Sequence, residues 1–134
     1  EVTVSSPDFS RTNKLIIDYL CTPHIALLPL IGYGGGEASC EAEIEGLSKL
    51  YDLGCVEFVA VVPGRDTHGR NYSFPIMESG NVGDSGESFI AGYVEQLHQR
   101  DKAQWPHIIW CQSPWCPPTL QQLGIEIPVI VTLH

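Results

Sequence analysis

The stretch KLIIDYLCTPHIALLPLIGYGGGEASCEAEIEGLSKLYDL, residues 14–53, decides the fold of this chain. It begins with the apolar run Leu15–Leu20, which predicts a central parallel strand buried on both faces. Consecutive glycines at positions 34–36 then lead into a helix that we expect to begin at Glu37 and to end before Gly54. The free N–H groups at the start of this helix, together with the glycine loop, predict a binding lip at the carboxyl end of the strand.

The predicted helix has one apolar face and an acidic start. Cys40, Ile44, Leu47 and Tyr51 recur at helical spacing, which favours a stripe packed against a core. Carboxylates in the first turns stabilise a helix by about 0.3–1 kcal/mol each but would repel a phosphate bound there. The glycine loop is therefore either a phosphate cradle or only a connection, and both interpretations stay open. The acidic residues are Glu37, Glu41, Glu43 and Glu45.

Strands and helices alternate along the rest of the chain. This order predicts an α/β fold, a doubly wound and mostly parallel sheet with helices on both faces. We expect one domain over residues 14–134, preceded by a leader or edge segment at residues 1–13. The predicted strands are 55–62, 72–77, 107–111 and 128–133, and the predicted helices are 84–98 and 117–124.

Composition excludes some classes of partner. The net charge of −9 argues against a nucleic-acid backbone or an anionic membrane surface as the main partner. No signal peptide or membrane-spanning run is recognisable, so we expect a soluble, cytoplasmic protein. The five cysteines are better explained as small buried hydrophobic residues than as a disulfide framework, and their spacing predicts no metal site. They are Cys21, Cys40, Cys55, Cys111 and Cys116.

Four local patterns occur in an order that belongs to a known family. IGYGGGEASCEAEIEGLSKLYDLG is similar to a glycine loop, glutamate and helix, and CVEFVAVVPG is similar to the strand that follows them. WPHIIWCQSPW and LGIEIPVIVTLH are similar to two later strands, the second of which ends in a histidine. Together they resemble the N-terminal Rossmann-like domain of the family 4 glycosyltransferases, the retaining enzymes of the GT-B type. The resemblance covers nearly the whole of residues 14–134 and implies one half of a GT-B fold.

The resemblance implies an enzyme that moves a sugar from a nucleotide-sugar donor to a glycan, lipid or small-molecule acceptor with retained configuration. The donor is a substrate, and no cofactor or metal is implied. By position, His134 is implied as the catalytic histidine near the transferred sugar. The residues implied to bind substrate are Gly34, Gly35, Gly36, Glu37, Gln112 and Ser113. His107 and Trp110 depart from the residues that the family usually has at these positions.

In the family, a second domain binds the nucleotide and carries a pair of glutamates. Because no such segment is present among these residues, we expect the chain to be the acceptor-side part of a longer parent. We expect it to be inactive alone and to self-associate through the exposed edge of an incomplete sheet. The alternative is a non-catalytic, flavodoxin-like α/β binding module for a small ligand or a partner protein.

Overall fold

The computed structural model describes residues 14–21, 35–62, 72–79, 85–112 and 114–132. The predicted leader or edge segment lies outside these ranges. Within them, no helix combines the length and hydrophobicity that a membrane-spanning segment needs.

The described residues form a five-stranded sheet in which every neighbouring pair is parallel. The strand order is β3-β2-β1-β4-β5, so the fold class predicted from the sequence is confirmed. The strands are β1 (Leu15–Leu20), β2 (Val56–Val62), β3 (Ile76–Glu78), β4 (Ile108–Cys111) and β5 (Val129–Val131). The helices are α1 (Gly35–Asp52), α2 (Gly86–Gln99) and α3 (Cys116–Gln122), with a 3₁₀ turn at Lys102–Gln104.

The helices cover opposite faces of the sheet. Cys40, Ile44 and Leu47 of α1 pack on one face, which confirms the predicted apolar stripe. Phe89 and Tyr93 of α2 pack on the other face, where α3 joins them. Successive strand residues point to alternate faces, and each face therefore has its own core. The strand residues under α1 include Ile17, Tyr19, Phe58, Ala60 and Val62, and those under α2 and α3 include Leu20, Val61, Ile109 and Cys111.

Two helix starts differ from the sequence prediction. Helix α1 begins at Gly35, two residues before Glu37, so the last two of the three consecutive glycines belong to the helix and not to a loop. Helix α2 is capped by Ser85, whose hydroxyl accepts a hydrogen bond from the backbone N–H of Ser88 at 3.1 Å. Residue 84, at which the predicted helix begins, lies outside the described residues.

The edge strand β3 is shorter than predicted. It begins at Ile76, directly after Pro75, whose ring nitrogen cannot donate to a sheet ladder. Before the strand, Phe74 turns toward the α1 face and stacks on Phe58 with ring centroids 4.7 Å apart. The sequence before Pro75 therefore contributes to the core and not to the sheet.

An acidic side chain lies at the centre of the fold. Asp18 of β1 is fully buried under α2. Its carboxylate accepts a hydrogen bond from the Tyr93 hydroxyl at 2.5 Å and pairs with the Arg100 guanidinium at 3.0 Å. Burial raises the pKa of Asp18, and the charge of Arg100 and the hydroxyl of Tyr93 counteract part of that rise. The acid that interrupts the apolar run of β1 is therefore tied to α2 and to the residue that follows it.

Replacing Arg100 with alanine tests this pairing. Because the variant leaves a buried carboxylate without its cation, we expect the free energy of unfolding to fall by about 3 kcal/mol at neutral pH. A raised native pKa means that the folded state holds the Asp18 proton more tightly than the unfolded state. Stability is therefore lost as pH rises through the native pKa, and the loss caused by Arg100→Ala should be smaller at mildly acidic pH.

Denaturant unfolding at the two pH values measures this difference. Lys49→Ala is the matched control, because Lys49 makes only an exposed pair with Glu45 at 3.6 Å. An Arg100→Ala loss that is the same at both pH values, and no larger than that of the control, would contradict the pairing.

Candidate functional site

The strand order has a switch point between β1 and β4. From β1 the chain proceeds outward through β2 and β3, and it then returns to the other side of β1 to form β4 and β5. The connections that leave the carboxyl ends of β1 and β4 lead to helices on opposite faces, α1 and α3. In sheets of this kind the divergence opens a crevice, and ligands bind there. The candidate site is therefore the carboxyl edge around β1 and β4, which we call the switch-point edge.

A carboxylate on α1 connects three strands at this edge. Glu43 accepts hydrogen bonds from the Tyr19 hydroxyl at 2.6 Å, the Gln112 amide at 2.9 Å and the Thr132 hydroxyl at 2.9 Å. The Gln112 amide also donates to the Tyr19 oxygen at 2.7 Å. We call these four residues the Glu43 network. It joins the ends of β1, β4 and β5 to the middle of α1.

Trp110 extends the network along the sheet. Its indole N–H donates to the Thr132 hydroxyl at 2.7 Å, and its ring packs edge-on against Tyr19 with centroids 5.4 Å apart. The register places Trp110 beside Ile130, which is 47% exposed. The half-buried indole therefore lies between the network and the exposed side chain of Ile130 on β5.

The network holds Tyr19 as a hydrogen-bond donor. Burial is the main reason that the pKa of the Tyr19 hydroxyl lies far above its usual range. The electrostatic interaction and the hydrogen bond with Cys40 raise it further. The hydroxyl therefore stays protonated and donates a hydrogen bond to Glu43. This arrangement fixes the carboxylate and does not supply a phenolate nucleophile.

The structure places the sequence-predicted site residues as follows. Gln112 is 3% exposed, and its amide is used inside the Glu43 network. Gly35, Gly36 and Glu37 lie in the first turn of α1, where the structure describes the backbone. The remaining predicted residues, Gly34, Ser113 and His134, lie outside the described residues and stay predictions.

The prediction that the cysteines form no disulfide is wrong for one pair. Cys111 and Cys116 are bonded to each other. Cys111 ends β4 and Cys116 begins α3, so the short turn between them returns the chain to the same face of the sheet. The expectation of burial is also wrong for Cys55, which is exposed.

Beside this disulfide, Trp115 lies over the start of α2. A Cβ atom added to Gly86 would come within 2.7 Å of its ring. The glycine therefore permits the indole to approach the backbone closely. Trp115 is 36% exposed and forms an aromatic part of the switch-point edge.

A groove of about 610 Å³ lies at the opposite, amino end of the sheet. It is bordered by Ile16, Glu57, Ile76 and Arg100, the partner of Asp18. The sequence patterns predicted none of these four as a site residue. The groove is therefore separate from the switch-point edge. No cluster of three or more metal-ligating side chains occurs in the described part of the chain.

Sequence reasoning missed Glu43 and Thr132 as site residues. The sequence places Glu43 only among the acids at the start of the helix. It follows Cys40 by one helical turn and adjoins the apolar stripe, and this position indicates a carboxylate turned toward the sheet. Thr132 carried no comparable signal, because its partner is 89 positions away.

Comparison of this chain with protein-family models, with curated proteins and with solved structures finds no match. The geometry of the switch-point edge is consequently the basis for a functional proposal.

Replacing Glu43 with glutamine tests the network. The amide places an N–H₂ group where an oxygen accepted a hydrogen bond, so we expect the free energy of unfolding to fall by about 1–3 kcal/mol. Glu45→Gln is the control, because Glu45 lies on the exposed side of the same helix and should change stability by less than about 0.5 kcal/mol. Equal unfolding midpoints for the two variants in urea would show that Glu43 does not join the strands.

Proposed function

We propose that this chain is the acceptor-side, N-terminal domain of a glycosyltransferase. The parent enzyme would transfer a sugar from a nucleotide-sugar donor to a glycan, lipid or small-molecule acceptor with retained configuration. The observation that carries the proposal is the strand order β3-β2-β1-β4-β5. This is the order of Rossmann-type halves, and the sequence patterns that resemble the family adjoin its switch-point edge.

Each pattern contributes a part of that edge. Gly35 and Gly36 form the first turn of α1, and the N–H groups of a helix start are donors that an acceptor or the donor diphosphate could use. Gln112 ends the strand pattern of β4 and helps to fix Glu43. His134, two residues beyond Thr132, is proposed to stabilise charge near the reacting centre.

The described side chains position this edge and do not perform the chemistry. Tyr19, Gln112 and Thr132 direct their donors to one carboxylate, so the strand ends are held in fixed relation to α1. A rigid wall of this kind orients an acceptor and lowers the entropic cost of reaching the reactive geometry. The donor and the second domain supply the remaining parts, and no cofactor is included in the proposal.

A cytoplasmic location belongs to the same proposal. Cys21, Cys40 and Cys55 carry thiols, which a reducing compartment preserves. The Cys111–Cys116 bond opposes this inference, because such a compartment tends to reduce disulfides. Self-association of the isolated domain also stays a prediction, and exposed Ile130 on the edge strand β5 supports it.

The second candidate is a non-catalytic α/β binding module. It is favoured by the internal pairing of the Glu43 network, whose described polar groups are occupied by one another. The flavodoxin-like form of this alternative is wrong for the described sheet. That form has the order 2-1-3-4-5, in which β1 is not the neighbour of β4.

A transfer assay tests the proposed function. The protein encoded by the whole reading frame should transfer labelled hexose from nucleotide sugars to a panel of glycan and lipid acceptors, and the product should keep the anomeric configuration of the donor. The 134-residue chain alone should transfer none. His134→Ala in the parent should lower kcat by roughly 100-fold, since it removes a group that stabilises developing charge.

The matched control is His98→Ala, because His98 lies exposed near the end of α2. A folded parent without any hexose transfer would contradict the proposal, and so would equal activity of the two histidine variants. Binding of a ligand without turnover would instead support the binding module.

A further inference from the structure

Two buried thiols meet where β1 ends. Cys21 directly follows the last residue of β1, and Cys40 lies in the second turn of α1. Their sulfur atoms are 3.7 Å apart, although the residues are separated by 19 positions in the sequence. Exposure is 3% for Cys21 and 0% for Cys40.

The backbone around this contact is fixed on both sides. The N–H of Cys21 donates to the Val61 carbonyl at 2.9 Å, which continues the pairing of β1 with β2. Cys40 belongs to the stripe that packs α1 against the same face of the sheet. The two sulfurs are therefore held together by the main elements of the fold and not by a chance approach of loops.

We propose that Cys21 and Cys40 are a redox-active pair that forms a reversible disulfide by exchange with a small-molecule disulfide. The sulfurs are already in contact, and they must close from 3.7 Å to roughly 2.05 Å to form the bond. Neither the Cys111–Cys116 bond nor the proposed glycosyl transfer uses this pair. The inference stands independently of the proposed function.

The exchange balances without a further oxidant. One protein thiolate attacks a sulfur of the small disulfide, forming a mixed disulfide and releasing one small thiolate. The second protein thiolate then attacks the protein sulfur of that mixed disulfide and releases the second small thiolate. The protein loses two protons and two electrons, and the reagent gains them as two thiols.

The surroundings of the pair make this exchange slow. The hydrogen bond with Cys40 is the largest cause that raises the pKa of the Cys21 thiol well above its usual range, and burial is the second. Because the thiolate is the reactive form, the rate should increase as pH rises. Exposed Cys55 should react earlier, but it has no described sulfur near it and ends as a mixed disulfide with the reagent.

The bond would affect the switch-point edge. Cys40 lies one helical turn before Glu43, so a covalent link to β1 fixes the part of α1 that carries the Glu43 network. The link also closes the chain segment between β1 and α1, which contains the glycines of the predicted binding lip.

Alkylation followed by mass spectrometry tests the pair. The Cys55→Ser chain is incubated with oxidised glutathione at mildly alkaline pH, quenched in acid, unfolded and alkylated. We expect two alkylation sites fewer than in the untreated sample, in which Cys111 and Cys116 are already bonded, and a cross-linked peptide pair that contains Cys21 and Cys40. Dithiothreitol should reverse both changes, and the midpoint of thermal unfolding of the oxidised chain should be roughly 5–10 °C higher.

The Cys40→Ser variant provides the matched control, because it removes the sulfur that lies 3.7 Å from that of Cys21, so glutathione can add to Cys21 but no Cys21–Cys40 peptide pair can form. The cross-linked peptide pair of the Cys55→Ser chain decides the question even if that control folds poorly. Full alkylation of Cys21 and Cys40 after oxidation would overturn the proposal. A bond from Cys21 to Cys111 or Cys116, which border a small cavity with it, would overturn it as well.

Discussion

The buried pairing of Asp18 with Arg100 and Tyr93 is the constraint on which the rest of the structure depends. A carboxylate inside a central strand would be costly without partners, and the two donors offset that cost. Arg100 follows α2 directly, so the pairing fixes both the rotation of α2 and the position of its carboxyl-terminal end. Since β1 is the central strand, this contact also determines which face of the sheet α2 and α3 cover.

The next residue of the same strand organises the other face. Tyr19 points away from Asp18 and donates to Glu43 of α1, and through Glu43 it is connected with the ends of β4 and β5. Two adjacent residues of β1 thus anchor the two helical layers by different means. One uses a buried ion pair, and the other uses a partly buried carboxylate with three donors. The Glu43 network holds the switch-point edge, whereas Arg100 of the ion pair borders the groove at the amino end of the sheet.

The sequence predicted most of the elements but not their polar connections. The apolar stripes of α1 and α2 and the runs of β1 and β2 carry local periodicity, so their existence and type followed from residues near each other. The partners of Asp18 lie 75 and 82 positions away, and no local pattern indicates such distances. The shortening of β3 could be predicted from Pro75, whereas the Cys111–Cys116 bond depends on how α3 returns to β4. Of the predicted substrate-binding residues, Gln112 lies at the switch-point edge but inside the network, which only the packing of three strand ends determines.

The proposed function requires ligands to bind at the switch-point edge and not at the groove at the amino end of the sheet. A titration of the isotope-labelled chain with nucleotide sugars and simple glycans, followed by nuclear magnetic resonance, tests it most directly. Binding at the switch-point edge should shift the resonances of the Trp110 indole N–H and the Gln112 side-chain amide, whose partners lie at that edge. Shifts confined to Tyr51, Gln96 and Arg100, which border the groove, would contradict the claim.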